Sequence, residues 1–219
     1  MQLILVRHAQ IQGDPFQHYT PPVDGCLSPA GCVMAQRLGE ALKSWKIDAV
    51  YSSPLGRAVQ TAQAIANPRQ LEIGLLPWIV EWKPATLTGE CEDPRDLGNR
   101  YAAAEKIHPE RAWKTPAGEG TFEMAHRIVP SLLEFLANQG IEAASGGFLI
   151  KPEALEKNIA IVAHGGSLGL AASFLLGIPL RPYAPLAWSL TGVGVIEFVH
   201  RTGVWYPQLV VQPIVPLPA

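Results

Sequence analysis

Arg7 and His8 follow directly on the apolar run Leu3–Val6, within the stretch LVRHAQ at residues 5–10. Arg57 lies in YSSPLGRAVQTA, and His164-Gly165-Gly166 closes a second apolar run, Ile159–Ala163. Two guanidinium groups, two imidazoles and a pair of glycines suit an anion rich in acceptor oxygens, phosphate above all. Guanidinium groups fork onto phosphate oxygens. N–H groups at a helix start add fixed partial positive charge. Gly165 and Gly166 let the backbone approach a ligand closely. Each signal is weak alone. A histidine at a strand end is more often structural, an arginine in a first helical turn is often mere surface, and Gly-Gly is often only a turn. Their joint order carries the argument.

The elements that position these groups can be read from periodicity. Residues 2–7 are continuously apolar and predict a strand buried on both faces. Ser28 and Pro29 predict an N-cap and first helical position, with Val33, Met34, Leu38, Ala41 and Leu42 recurring at helical spacing to about Lys43. Ile47–Tyr51 reads as a second strand. Ser53 and Pro54 repeat the cap pattern for a helix to about Ala66, which puts Arg57 in its first turn. Leu71–Leu75 reads as a third strand.

This β-α-β-α-β order predicts a three-layer α/β/α fold. The expected form has a mostly parallel central sheet, an antiparallel edge and a small insertion over the active site. Carboxyl ends of parallel strands line the crevice of such sheets, so Arg7, His8, Arg57 and His164 should converge there.

Between Trp82 and Gly120 prolines, glycines and mixed charges break the pattern, with one helix expected around Arg95–Lys106. The expectation is a single domain over 1–219 with an insertion at about 82–120. Arg95, Arg100, Lys106, Arg111 and Lys114 within it read mainly as a solvated face. Thr121–Ala137 predicts an amphipathic helix, kinked or broken at Pro130. Residues 138–157 resist assignment, although SGGFLI suggests a short strand. Residues 159–163 predict a buried strand and 166–176 a helix. Runs at 193–199 and 204–211 predict a hairpin at the sheet edge. The Pro-rich tail reads as a loosely held extension.

At 219 residues and 48% hydrophobic content, the chain can build a full core. A net charge of −2 gives no global attraction to nucleic acid or membrane, so any anion site is local. Cys26, Cys32 and Cys91 are odd in number and lack metal-ligand spacing, which points to reduced thiols in a cytoplasmic protein. The uncharged stretch 159–180 is about as long as a membrane span, but His164-Gly165-Gly166 and Gly177-Ile178-Pro179 make it a buried strand, turn and helix instead.

Read in order, LVRHAQ, YSSPLGRAVQTA, VEW, AGEGTFEMAHRI and VAHGG resemble the sequential motifs of the histidine phosphatase superfamily, the phosphoglycerate-mutase-like proteins. The resemblance runs from residue 2 to about 200. It implies a phosphohistidine mechanism that needs neither metal nor cofactor. It makes His8 the nucleophile, has Arg7, Arg57, His164 and Gly165 hold the phosphoryl group, and makes Glu81 the acid/base carboxylate. Physical reasoning agrees. Arg7 and Arg57 should lower the His8 pKa and keep its lone pair available. The same cations stabilise the charge in transfer. Val80, Trp82 and Trp78 should desolvate Glu81 and raise its pKa. The alternative reading of Glu81 is a surface carboxylate at a strand end.

The chain departs from the common pattern at Ala9-Gln10, where Gly-Glu is usual, and at 83–90, where the family's Trp-Glu-Gly is replaced. The usual asparagine nearby is not evident; Gln12 and Asp14 lie there, with Asp14 expected to point away. His18 and His126 read as surface groups. The expected activity is hydrolysis of a small phosphorylated metabolite, with a phosphoglycerate-type mutase and a non-catalytic phosphate-binding module as alternatives. No nucleic-acid or membrane partner is expected. A homodimer through a free 204–211 edge stays open.

Overall fold

Strand β1 (Gln2–Arg7) is apolar along its length because both of its faces are covered. Leu3 and Leu5 enter one core, while Ile4 and Val6 enter another. Strand β6 (Asn158–Ala163) divides the same way, with Ile159 and Ile161 on one side and Ala160 and Val162 on the other. The computed structural model describes residues 1–12, 26–82, 119–179, 186 and 188–210. The expected helix at 95–106, as well as Asp14, His18, Cys91 and the tail, lie outside the described residues.

One face carries α1 (Pro29–Ala41) and α2 (Gly56–Ala66), whose Leu38, Ala58, Ala62 and Ile65 fill the second core. The other carries α3 (Thr121–Asn138) and α4 (Gly165–Leu175), which supply Ile128, Leu132, Leu136, Leu168 and Ala172 to the first core. The remaining strands are β2 (Ala49–Ser52), β3 (Ile73–Leu75), β4 (Ile141–Ala144), β5 (Gly147–Ile150), β7 (Val193–Arg201) and β8 (Val204–Val210). They form one eight-stranded sheet in the order β3-β2-β6-β1-β7-β8-β5-β4.

The sheet is mixed. β3, β2, β6 and β1 are parallel, while β1 pairs with β7 in the antiparallel sense, and so do β7 with β8, β8 with β5 and β5 with β4. The antiparallel part is therefore half of the sheet, larger than the edge expected. The β7–β8 hairpin turns through Thr202 and Gly203, both at positive φ (48° and 88°), the geometry that two-residue hairpins favour. It lies inside the sheet rather than at its edge, because β5 covers β8. β5 meets β8 at Phe148–Trp205, near the start of β8. The unassigned 138–157 region supplies the covering hairpin, β4–β5.

Two local readings also change. Ser28 caps α1 as expected, its Oγ accepting from the Gly31 N–H at 2.9 Å. Ser53 does not cap α2, which starts at Gly56 with Leu55 in the cap position and no side-chain cap bond. Helix α3 runs unbroken through Pro130. Pro130 is exposed, as is His126 one turn earlier, so the carbonyl that loses its helical partner lies on the solvent side. Pro130→Ala restores that bond, and the variant should gain roughly 1–2 kcal/mol of stability, read as a higher urea midpoint with unchanged slope.

Candidate active site

The three strands that carry the chemistry are neighbours, β2-β6-β1, and all point the same way. Arg7 stands opposite Ala163, and Ser52 opposite Val162. Beyond these pairs the His8 N–H donates to Ala163 O (2.9 Å) and the Ser53 N–H to Val162 O (2.9 Å). His8, Ser53 and His164 thus leave the sheet side by side at the carboxyl ends of its parallel strands. Chains cross to one face after β1 and β2, and to the other after β6, so the crevice opens where the windings diverge. Residues from four distant stretches meet here.

The His8 Nδ1–H donates to Ala9 O at 2.7 Å, which assigns the proton to Nδ1 and leaves Nε2 with its lone pair. The loop after His8 is fixed by Thr61, whose Oγ1 accepts from the Ala9 N–H (3.0 Å) and donates to Arg57 O (2.8 Å). Thr61 therefore ties the loop after His8 to the turn of α2 that bears Arg57. Arg7 Nη1 donates to Trp188 O at 2.5 Å, and its Nε is buried without a protein partner. Gly165 sits against this guanidinium: a Cβ there would lie 3.4 Å from Arg7 Nε and Cζ.

The His164 ring stands 5.1 Å from that of His8, centroid to centroid. Its Nε2 meets Ser53 Oγ at 2.8 Å, and its Nδ1 is buried and unpaired. Arg7 Nε and His164 Nδ1 are two of four such unpaired atoms among the described residues, and both belong to this cluster. Unpaired buried donors are costly unless a ligand satisfies them.

Glu81 follows the short 3-10 turn Pro77–Ile79. Its Oε2 accepts from the Gly166 N–H (3.1 Å), and its Oε1 from the Ser167 N–H (3.1 Å) and the Trp82 N–H (3.0 Å). The carboxylate is thus docked on the first turn of α4. The donors it meets are all backbone amides. Gly166 is required for this approach, since a Cβ there would fall 2.6 Å from Glu81 Oε1.

The electrostatics follow from burial first. Burial lowers the His8 pKa from 6.5 to about 3, with Arg57 and Arg7 adding to the fall and the bond to Ala9 opposing it. The cations noticed in the sequence act in the expected direction but are not the largest cause. Burial likewise holds His164 well below its ordinary range, helped by His8, Arg57, Arg7 and Arg127. Arg57, 5% exposed, is lowered by burial and by Arg7, and Glu81 opposes that shift. Both imidazoles are therefore neutral at physiological pH.

This neutrality has a stability consequence. The unfolded chain protonates a histidine near pH 6.5, whereas folded His8 does so only near 3. Between those values the unfolded state binds more protons, so stability is lost as pH falls through that window. The thermal midpoint of the wild type should drop more steeply from pH 7 to pH 5 than that of His8→Asn. Parallel slopes would contradict a buried neutral His8.

Sequence reasoning missed three residues here. Ser53 reads as a cap, and Thr61 and Arg127 stand only as positions within the motifs YSSPLGRAVQTA and AGEGTFEMAHRI. His126 is exposed and stacks on Phe122, a surface role as expected. Cys26 and Cys32 are free and exposed. No cluster able to hold a metal ion occurs among the described residues, and no described helix is long and apolar enough to cross a membrane.

Among curated proteins, the chain is 40% identical over 211 residues to phosphoserine phosphatase 1 of Hydrogenobacter thermophilus, covering 93% of this chain and 90% of that one. It is 27% identical over 207 residues to a probable phosphoglycerate mutase of Proteus mirabilis, covering 94% and 87%. Among solved structures, the α-ribazole phosphatase of Shigella flexneri superposes with a TM-score of 0.74 at 22% identity over 100% of both chains. A mycobacterial glucosyl-3-phosphoglycerate phosphatase bound to inorganic phosphate gives 0.72 at 22% identity, covering 96% of this chain and 95% of the other. These two likenesses concern the fold. The profile of the histidine phosphatase superfamily (branch 1) matches residues 3–206, and the chain belongs to that superfamily.

Proposed function

We propose that the protein hydrolyses small phosphomonoesters through a phosphohistidine formed on His8. The observation that carries this reading is the state of His8. It is buried, neutral and fixed through Nδ1, with its Nε2 lone pair free beside two arginines and a second neutral histidine. A group that only bound phosphate would gain from being charged. A nucleophile gains from being neutral.

In the first step the Nε2 lone pair attacks phosphorus in line with the ester oxygen. The N–P bond forms as the P–O bond breaks, and Glu81, entering as the acid, protonates the departing alkoxide. In the second step Glu81, now a carboxylate, takes a proton from water as its oxygen attacks phosphorus. The N–P bond breaks and inorganic phosphate leaves. Arg7, Arg57, the Gly165 N–H and His164 hold the phosphoryl oxygens throughout. His164 is neutral and so carries one N–H. Phosphoryl oxygens only accept, so that proton belongs on the unpaired Nδ1, and Ser53 O–H donates to Nε2.

The relative at 40% identity is a phosphoserine phosphatase, so O-phosphoserine heads the substrate panel. The mutase reading keeps support from the phosphoglycerate mutase relative. Both use the same residues and differ in whether water or a second substrate takes the phosphoryl group. The test is a phosphomonoester panel with chelator present, together with 3-phosphoglycerate with and without a bisphosphate primer. Phosphate release that persists in chelator and is lost in His8→Ala supports hydrolysis. Primer-dependent isomerisation with little release selects the mutase, and phosphate-competitive binding without turnover selects a binding module. Loss of turnover with chelator would overturn the mechanism.

A further inference from the structure

Arg127 sits on α3 outside the phosphoryl cradle, yet its guanidinium is tied to the segment that carries Glu81. Nη1 donates to Trp78 O (2.5 Å) and to Val80 O (3.2 Å). Nε and Nη2 fork onto Glu119 at 2.6 and 2.7 Å. Glu119 in turn accepts the Trp82 Nε1–H on its backbone carbonyl at 2.5 Å. The peptide before Glu81 and the side chain after it are thus held by one pair of residues. The pair is mostly buried, with side chains 19% and 16% exposed. A buried ion pair is a poor source of net stability, because desolvation cancels most of its attraction. What such a forked pair supplies is fixed geometry.

We propose that Glu119 and Arg127 form a positioning unit that sets the height and direction of Glu81 against the first turn of α4. This rests on Glu81 being the proton-transfer group. Glu81 has a short reach between two anchors. Its backbone is held by Arg127 and Glu119, and its carboxylate by the N–H groups of Gly166 and Ser167. Releasing the backbone anchor lets the Glu81 main chain shift, so the carboxylate loses its set place on the α4 turn and drifts from the line of the leaving oxygen; proton transfer tolerates little such drift.

The test compares phosphoenzyme formation from two esters in a single turnover. O-Phosphoserine has an alkoxide leaving group that must be protonated, whereas 4-nitrophenyl phosphate releases a stabilised phenolate that need not be. In the double variant Glu119→Gln/Arg127→Met, which removes both charges of the pair together, the alkyl ester should react roughly 30- to 100-fold more slowly. The aryl ester should stay within about threefold of wild type, since it does not draw on the acid. Arg127→Lys, which keeps the charge but loses the fork, should fall between, and it carries the same comparison if the double variant fails to fold. Equal losses on both esters, or a rise in KM alone, overturn the positioning role. Absence of any acid-labile phosphoenzyme in the wild type overturns instead the reading of His8 and Glu81, and this proposal with it.

Discussion

His8→Asn should abolish turnover, with kcat/KM down by about 10⁴-fold or more, the scale seen when a covalent nucleophile is removed. Asparagine is close to histidine in size and can still donate from its amide to Ala9 O, so the loop held by Thr61 keeps its place. On the proposed mechanism, what is lost is the lone pair that takes the phosphoryl group. The check is labelling with a radioactive phosphomonoester, quenched in alkaline detergent, alongside phosphate release. The wild type should carry label stable to base and labile to acid, as a phosphoramidate is, and the variant none. Inorganic phosphate should still bind the variant, since Arg7, Arg57 and His164 remain. A variant that keeps a tenth of wild-type turnover would falsify His8 as the nucleophile. The variant should also be the more acid-stable protein, because it no longer holds a buried imidazole neutral.

Glu81→Gln should cost about 10²- to 10⁴-fold in kcat on alkyl phosphates, the usual contribution of a placed general acid/base. The structure makes this substitution harsher than its size suggests. Three backbone N–H groups point at the carboxylate, and a carboxamide offers only one oxygen to them. Its NH₂ group would face an amide donor, so the side chain must rotate away. With a nitrophenyl ester the first step survives but water is no longer deprotonated, and the phosphoenzyme accumulates. Steady-state labelling should therefore rise above wild type while phosphate release falls. If labelling falls in step with release, Glu81 does not act in the second step.

The parts of the fold that could be read from sequence are those where one local pattern has one physical cause. β1 and β6 were legible because strands covered on both faces must be apolar throughout. The Ser28-Pro29 start of α1 was legible because a cap bond spans three residues. Ser53-Pro54 shows the same local pattern, but Ser53 has a stronger claim on it from His164, which is 111 residues away. No local rule contains that partner. Pro130 misled in the opposite sense: its penalty is real, but an exposed carbonyl can turn to water. The convergence of Arg7, His8, Arg57 and His164 was legible because strand ends share a crevice. The burial that keeps His8 neutral was not, since it depends on how much protein closes over the ring.

The bond from Trp82 to Glu119 joins the two ends of the 83–118 stretch at its root, one residue from Glu81. A root pinned in this way is a graft junction. Were the segment between Trp82 and Glu119 exchanged for one of different length, Arg127 would still hold both stumps. The phosphoryl cradle, built from strand ends elsewhere, then never feels the exchange. On the proposed function, exchanging that one stretch would change what the site accepts while leaving Arg7, His8, Arg57 and His164 in place.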